Sequence, residues 1–184
     1  MVSLWSRWCA ALAVLVVLVS ASAAQDRPPY ERSLYRHWIR VEGTCRDVRA
    51  VVLIRDAEPG TVFFTDPGEC RVGGGVWRDP YTGQKFSDPR EIDIDHMVPL
   101  KNAHESGGWA WDPDRRRQYA NNLTYRWHLL AVSRSANRSK GDRSPDQWKP
   151  DNPDFWCQYG EAWAAVKTVY QLETTEPERA AVPL

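Results

Sequence analysis

An unbroken apolar run from Ala10 to Val19 follows a lone positive charge at Arg7. It ends in the small residues Ala21-Ser22-Ala23-Ala24 before the polar Gln25-Asp26. This is the layout of a secretory signal peptide over residues 1–24, with one compact domain expected over 25–184. The run is shorter than the roughly 20 residues a membrane-spanning helix needs. Cleavage, secretion and no stable membrane association afterwards are therefore expected, with an uncleaved anchor as the alternative.

Beyond the leader, Leu34, Trp38 and Ile39 recur at helix-like spacing and predict a scaffold helix within Tyr30 to Arg40. Val48, Val51, Val52 and Leu53 predict a second helix, although their β-branching leaves a strand open. Pro59-Gly60, Pro67-Gly68, Gly73-Gly74-Gly75 and Asp79-Pro80-Tyr81-Thr82-Gly83 carry turn chemistry, so loops and short strands are expected there. Ile92, Ile94 and Val98 alternate with Asp93 and Asp95, the pattern of a strand, which Pro99 then stops.

Asp112-Pro113 is a helix start, with an aspartate to cap and a proline for the first turn. Trp127 to Val132 reads as a second strand and Ser133 to Asp142 as a short polar helix. Trp163, Val166 and Tyr170 mark one face of a docking helix within Cys157 to Leu172. The residues around Pro177 and Pro183 are expected to fray. The mixture is that of an α+β domain.

Three cysteines remain after the leader, Cys45, Cys70 and Cys157, and export permits a disulfide. Cys45 with Cys70 is the preferred pair, since both lie in the N-terminal half and closing that loop ties a helical segment to the turn-rich stretch beyond it. Sequence alone leaves the connectivity open. The lack of any Cys-x-x-Cys spacing argues against structural zinc.

Lysine plus arginine number 24 and aspartate plus glutamate 24, so net charge provides no argument for a polyanionic partner. The distribution is less even. Arg115, Arg116, Arg117, Arg126, Arg134, Arg138, Lys140 and Arg143 fall in one stretch whose lone acid is Asp142, a local field that suits nucleic acid. A solvated helix face with a basic loop explains the cluster as well, and on the cluster alone is the better account.

Chemistry gathers at Asp95-His96, at the end of one predicted strand, with His128 at the start of the other and Asn137 and Lys140 in the following helix. Phosphodiester hydrolysis needs a base for water and a cation to neutralise developing charge. A neutral imidazole suits the first role, and carboxylate and amide oxygens are hard ligands for the second. In an ideal strand Asp95 and His96 point to opposite faces, so sharing one site requires a turn or bulge there.

Trp77-Arg78-Asp79-Pro80-Tyr81-Thr82-Gly83, Ile92 to Leu100, His128 to Ser133 and Asn137 to Asp142, in this order, resemble secreted bacterial HNH endonuclease-family proteins. These are relatives of the C-terminal nuclease domain of GmrSD-type restriction enzymes, and the resemblance spans about residues 35–172. It implies a ββα-metal (HNH, His-Me finger) nuclease centre with flanking helices. Asp95 and Asn137 are then metal ligands and His96 the general base. His128 falls at the middle position, where asparagine is usual, and braces the loop or His96; Asn121 and Asn122 are alternatives for that role. Arg138 and Lys140 are expected to face the phosphate backbone.

The implied cofactor is a divalent metal, Mg2+ ahead of Mn2+, and the implied partner is nucleic acid, DNA ahead of RNA. Two rivals stand beside the metal-dependent endonuclease. One is a non-catalytic secreted nucleic-acid-binding module on an HNH scaffold. The other is a metal-dependent hydrolase of a different ester or of cell-wall material.

Overall fold

The computed structural model describes residues 27–182, so the predicted leader lies outside it. Among the described residues no helix is long and apolar enough to cross a membrane. The segment expected to form the first helix makes only a 3-10 turn, Arg32–Leu34. A helix cannot run on because its backbone is engaged elsewhere: Asn121 accepts the Ile39 N–H at 3.2 Å and donates to the Arg36 carbonyl at 2.7 Å. Trp38 then adopts φ 57°, a left-handed conformation rare for a bulky side chain.

Helix α1 (Val48–Asp56) begins where Asp47 accepts the Ala50 N–H at 2.7 Å, and it buries Val48, Val52 and Leu53. The spacing of those three residues gives one apolar stripe, which settles helix over strand. Short antiparallel pairs follow, β1 (Phe63–Phe64) with β2 (Val72–Gly74) and β3 (Trp77–Arg78) with β4 (Lys85–Phe86). A side chain at Gly74 would lie 2.3 Å from the Phe63 ring, so β2 needs glycine to pass beneath it. Cys45 and Cys70 are joined, tying the approach to α1 to the β1–β2 hairpin, while Cys157 is free and exposed.

The centre of the domain is the antiparallel pair β5 (Ile92–His96) and β6 (Leu129–Ser133), in regular register from Ile92↔Ser133 to His96↔Leu129. Ile92, Ile94, Leu129 and Ala131 pack into one apolar cluster with α1, and Leu130 and Val132 into another with Tyr81, Met97 and Trp163. With both faces covered, β6 is a continuous apolar run and not an alternating one. Helix α2 (Leu100–Glu105), which the pattern did not announce, and helix α3 (Pro113–Ala120) fill the connection between the strands. Asp112 caps α3 by accepting the Arg115 N–H at 2.7 Å.

Helix α4 (Arg134–Lys140) leaves β6 directly, capped by Ser133, and packs on both β5 and β6. Strand, strand and helix are thus adjacent in space. Helix α5 (Trp156–Val169) docks through Tyr159, Ala162, Trp163 and Val166. The expected frayed tail is instead helix α6 (Glu176–Ala181). Thr175 and Glu178 form a reciprocal capping box, and Pro177 sits in the first turn, where its missing N–H is not needed.

Candidate active site

His96 ends β5 almost fully buried, its ring between the near-parallel rings of Trp38 at 5.6 Å and Tyr119 at 6.2 Å. Its Nε2 lies 2.9 Å from the Ala120 carbonyl, one of the last in α3. A carbonyl only accepts, so the proton is on Nε2 and Nδ1 keeps a lone pair. Among the described residues Nδ1 has no hydrogen-bond partner, and His96 lines a surface groove. Burial, and then the neighbouring His128, hold the imidazole well below its ordinary pKa, so it is neutral at neutral pH.

His128 does not touch His96 by a hydrogen bond. Its Nε2 donates to the Tyr119 carbonyl at 2.6 Å, next to the carbonyl that holds His96. The two imidazoles therefore grip consecutive carbonyls at the C-terminus of α3, the Tyr119 carbonyl also accepting the Asn122 N–H at 3.4 Å. His128 thus contacts the same helix end as His96. Asn121 and Asn122 are engaged in that same region, Asn121 on Arg36, Ile39 and Arg117 and Asn122 on Thr124, Tyr125 and Tyr170.

Asp95 lies on the opposite face of β5. Its Oδ2 accepts from the Tyr81 hydroxyl at 2.6 Å and from the Lys140 ammonium at 2.6 Å. The register shows no bulge at this point, so the turn expected between Asp95 and His96 is absent. What lets the two residues border one site is the open edge of a two-stranded sheet. A single groove is lined by Ile94, Asp95, His96, Asn137 and Arg138, drawn from both faces of β5 and from α4. Its volume is about 340 Å³.

Asn137 donates to Asp93 Oδ2 at 3.2 Å, and its amide oxygen has no hydrogen-bond partner among the described residues. Asp95 Oδ1 likewise has no hydrogen-bond partner among the described residues. These are two hard oxygen donors on the same groove, a set that suits a magnesium-like ion retaining several waters. Among the described residues no group of three or more His, Cys, Asp or Glu side chains gathers in a way that would cage a metal on its own. Burial pushes the Asp95 carboxyl up and the Lys140 ammonium down, and each is drawn back by the other.

Lys140, expected to face phosphate, is fully buried, and its ammonium is committed to Asp95 and to the His96 carbonyl at 2.8 Å. Its place three residues after Asn137 puts both on the β5 side of α4, whereas Arg138 is exposed at the groove. Most of the basic stretch is similarly tied down: Arg115 to the Tyr170 carbonyl, Arg116 to the Trp109 carbonyl and Arg126 beside Asp56. From outside the stretch, Arg32 joins Arg138 at the groove. Trp38, Tyr81 and Arg32 are the contributors that sequence reasoning missed; only Tyr81 lay in a motif that drew attention.

Residues 72–181 match the family model of GmrSD restriction endonucleases, C-terminal domain, and the chain belongs to that family. An "Uncharacterized secreted protein" of Arthroderma benhamiae is 40% identical over 153 residues, covering 83% of this chain and 72% of that protein. No solved structure matches the chain at a significant level.

Proposed function

We propose that the protein is a secreted, metal-dependent HNH-type endonuclease hydrolysing phosphodiester bonds, with DNA ahead of RNA as substrate. The observation that carries this reading is His96: its Nε2 proton is fixed by the Ala120 carbonyl, its Nδ1 has no hydrogen-bond partner among the described residues, and it lines the same groove as Asp95 and Asn137. The adjacency of β5, β6 and α4 supports a ββα-metal centre, and the GmrSD family is one of restriction endonucleases. Secretion is supported by the name of the Arthroderma benhamiae relative and by the leader pattern.

In this reading His96 Nδ1 takes the proton of the attacking water, and the Ala120 carbonyl holds the resulting imidazolium in place. Arg138 and Arg32, exposed at the groove, hold the phosphate backbone, contacts that position a nucleic acid without reading its sequence. Asp95 and Asn137 would hold a divalent cation, Mg2+ ahead of Mn2+, which would supply charge neutralisation at the phosphate and leaving oxygen.

The test incubates the oxidised protein with supercoiled plasmid and with RNA, in magnesium, manganese or chelator, beside His96→Ala. Metal-dependent cleavage lost by about a hundred- to ten-thousand-fold in the variant is expected. Equal inactivity of both proteins on both polymers would overturn the enzyme reading in favour of a binding module.

A further inference from the structure

The stretch Trp77 to Gly83 supplies neither the base nor a ligand of the proposed reaction, yet it delivers one atom to the centre of the site. Its turn is held from two sides. Asp79, fully buried, accepts the Tyr81 N–H and the Thr82 hydroxyl, each at 2.9 Å. Gly83, at φ 74°, closes the turn by donating to the Asp79 carbonyl at 2.8 Å. Asn152 donates its N–H to the Tyr81 carbonyl at 2.9 Å and its amide to the Pro80 carbonyl at 3.0 Å.

The Tyr81 ring is walled in by Trp148, Phe155 and Tyr159, with ring centroids 5.1, 5.9 and 6.0 Å away. Backbone and ring are both immobilised, so the hydroxyl reaches one position, 2.6 Å from Asp95 Oδ2. Lys140 holds the same oxygen. A planar carboxylate gripped twice at one oxygen cannot rotate freely, and the other oxygen, on a residue that lines the groove, has no hydrogen-bond partner among the described residues. Resting on the nuclease reading, we propose that Tyr81 is a positioning residue whose hydroxyl, together with Lys140, orients Asp95 so that Oδ1 is offered to a divalent cation. Tyr81 itself touches neither substrate nor cation.

The test measures Mn2+ binding to the full chain without substrate, from the paramagnetic resonance signal of free Mn2+, alongside thermal melting. Tyr81→Phe keeps the ring and its cage and removes only the hydroxyl. It is expected to melt as wild type does and to bind Mn2+ about ten- to a hundred-fold more weakly, the usual effect of losing a group that orients a ligand. Tyr159→Phe is the control, because its buried hydroxyl has no partner, and it should bind as wild type does. Asn152→Ala, which loosens the turn and keeps the hydroxyl, provides a second independent variant that should weaken binding severalfold.

Wild-type affinity in Tyr81→Phe overturns the proposal. So does an equal loss in Tyr159→Phe, since packing and not the hydroxyl would then be responsible. Asp95→Asn separates the levels: if it binds Mn2+ as tightly as wild type, the metal reading itself fails. If it loses Mn2+ while Tyr81→Phe does not, only the role of Tyr81 fails.

Discussion

Trp38 and His96 lie face to face, with ring centroids 5.6 Å apart and planes 19° from parallel, although 58 positions separate them in the chain. The stack coincides with the left-handed backbone at Trp38, φ 57°, which costs on the order of 1–3 kcal/mol. Removing the indole frees the imidazole to tilt away from the groove. Trp38→Ala is expected to lower single-turnover cleavage by about ten- to a hundred-fold, and Trp38→Phe to restore most of it. Cleavage by Trp38→Ala at the wild-type rate would show that the stack does not orient the base.

The acid limb of activity should be displaced. Burial, and next the neighbouring His128, depress the His96 pKa well below 6.5, so the base stays deprotonated in mildly acidic solution. Single-turnover cleavage at saturating metal should hold its plateau below pH 6.5. A rate that falls with an apparent pKa at or above 6.5 would contradict the buried, carbonyl-held geometry.

Stability should depend on pH through His128, whose pKa burial lowers from 6.5 to about 4. The unfolded chain takes up this proton at higher pH than the folded one. Between those values the unfolded state binds more protons, so stability falls as pH falls. The contribution is complete above pH 6.5, about 3 kcal/mol by the size of the shift, and gone below pH 4. Urea unfolding at about pH 7.5 and about pH 4.5, on either side of most of that window, should show a smaller difference for His128→Asn than for wild type. Identical differences in the two proteins would remove His128 from the account.

The Cys45–Cys70 bridge spans a sequence separation of 25. Loop-closure entropy gives such a bridge about 3.5 kcal/mol of stabilisation. Cys45→Ser with Cys70→Ser should lower the unfolding free energy by that order. Cys157→Ser, at an exposed unpaired position, should change it by less than about 0.5 kcal/mol. Equal stabilities of the bridged and unbridged proteins in urea would refute the first expectation.

Lys167 and Glu178 are both buried and paired at 3.1 Å, and the Lys167 ammonium also donates to Ser106 at 2.7 Å and to the Glu173 carbonyl at 2.9 Å. The pair ties α6 to α5. Glu178→Ala strands a buried cation and should cost about 3–5 kcal/mol, whereas Lys167→Met with Glu178→Leu should recover most of that loss. A double variant no more stable than Glu178→Ala would show that specific polar contacts, not charge burial, dominate there.

Much of what is encoded within a few neighbouring residues was legible in the amino-acid order alone, although the Thr175–Glu178 capping box of α6 was not. This covers the β5 strand, which ends at His96 before reaching Pro99, the capped start of α3, the order of β6 and α4, the docking stripe of α5 and the grouping of Asp95, His96 and Asn137 on one groove. Local periodicity and capping reach only a turn or two, and that was enough for them. Features that depend on partners far apart in the chain took shape only on folding. Tyr81 meets Asp95 across 14 residues, the Ala120 carbonyl meets His96 across 24 and Lys140 meets Asp95 across 45. No pattern around Lys140 distinguishes a solvent-facing ammonium from one buried against a carboxylate, since both occupy a polar helix position. The helix expected around Trp38 yielded because Asn121 claims its backbone groups. The predicted tail became α6 because Lys167 offers Glu178 a buried charge to pair with, a gain that exists only once α5 has docked.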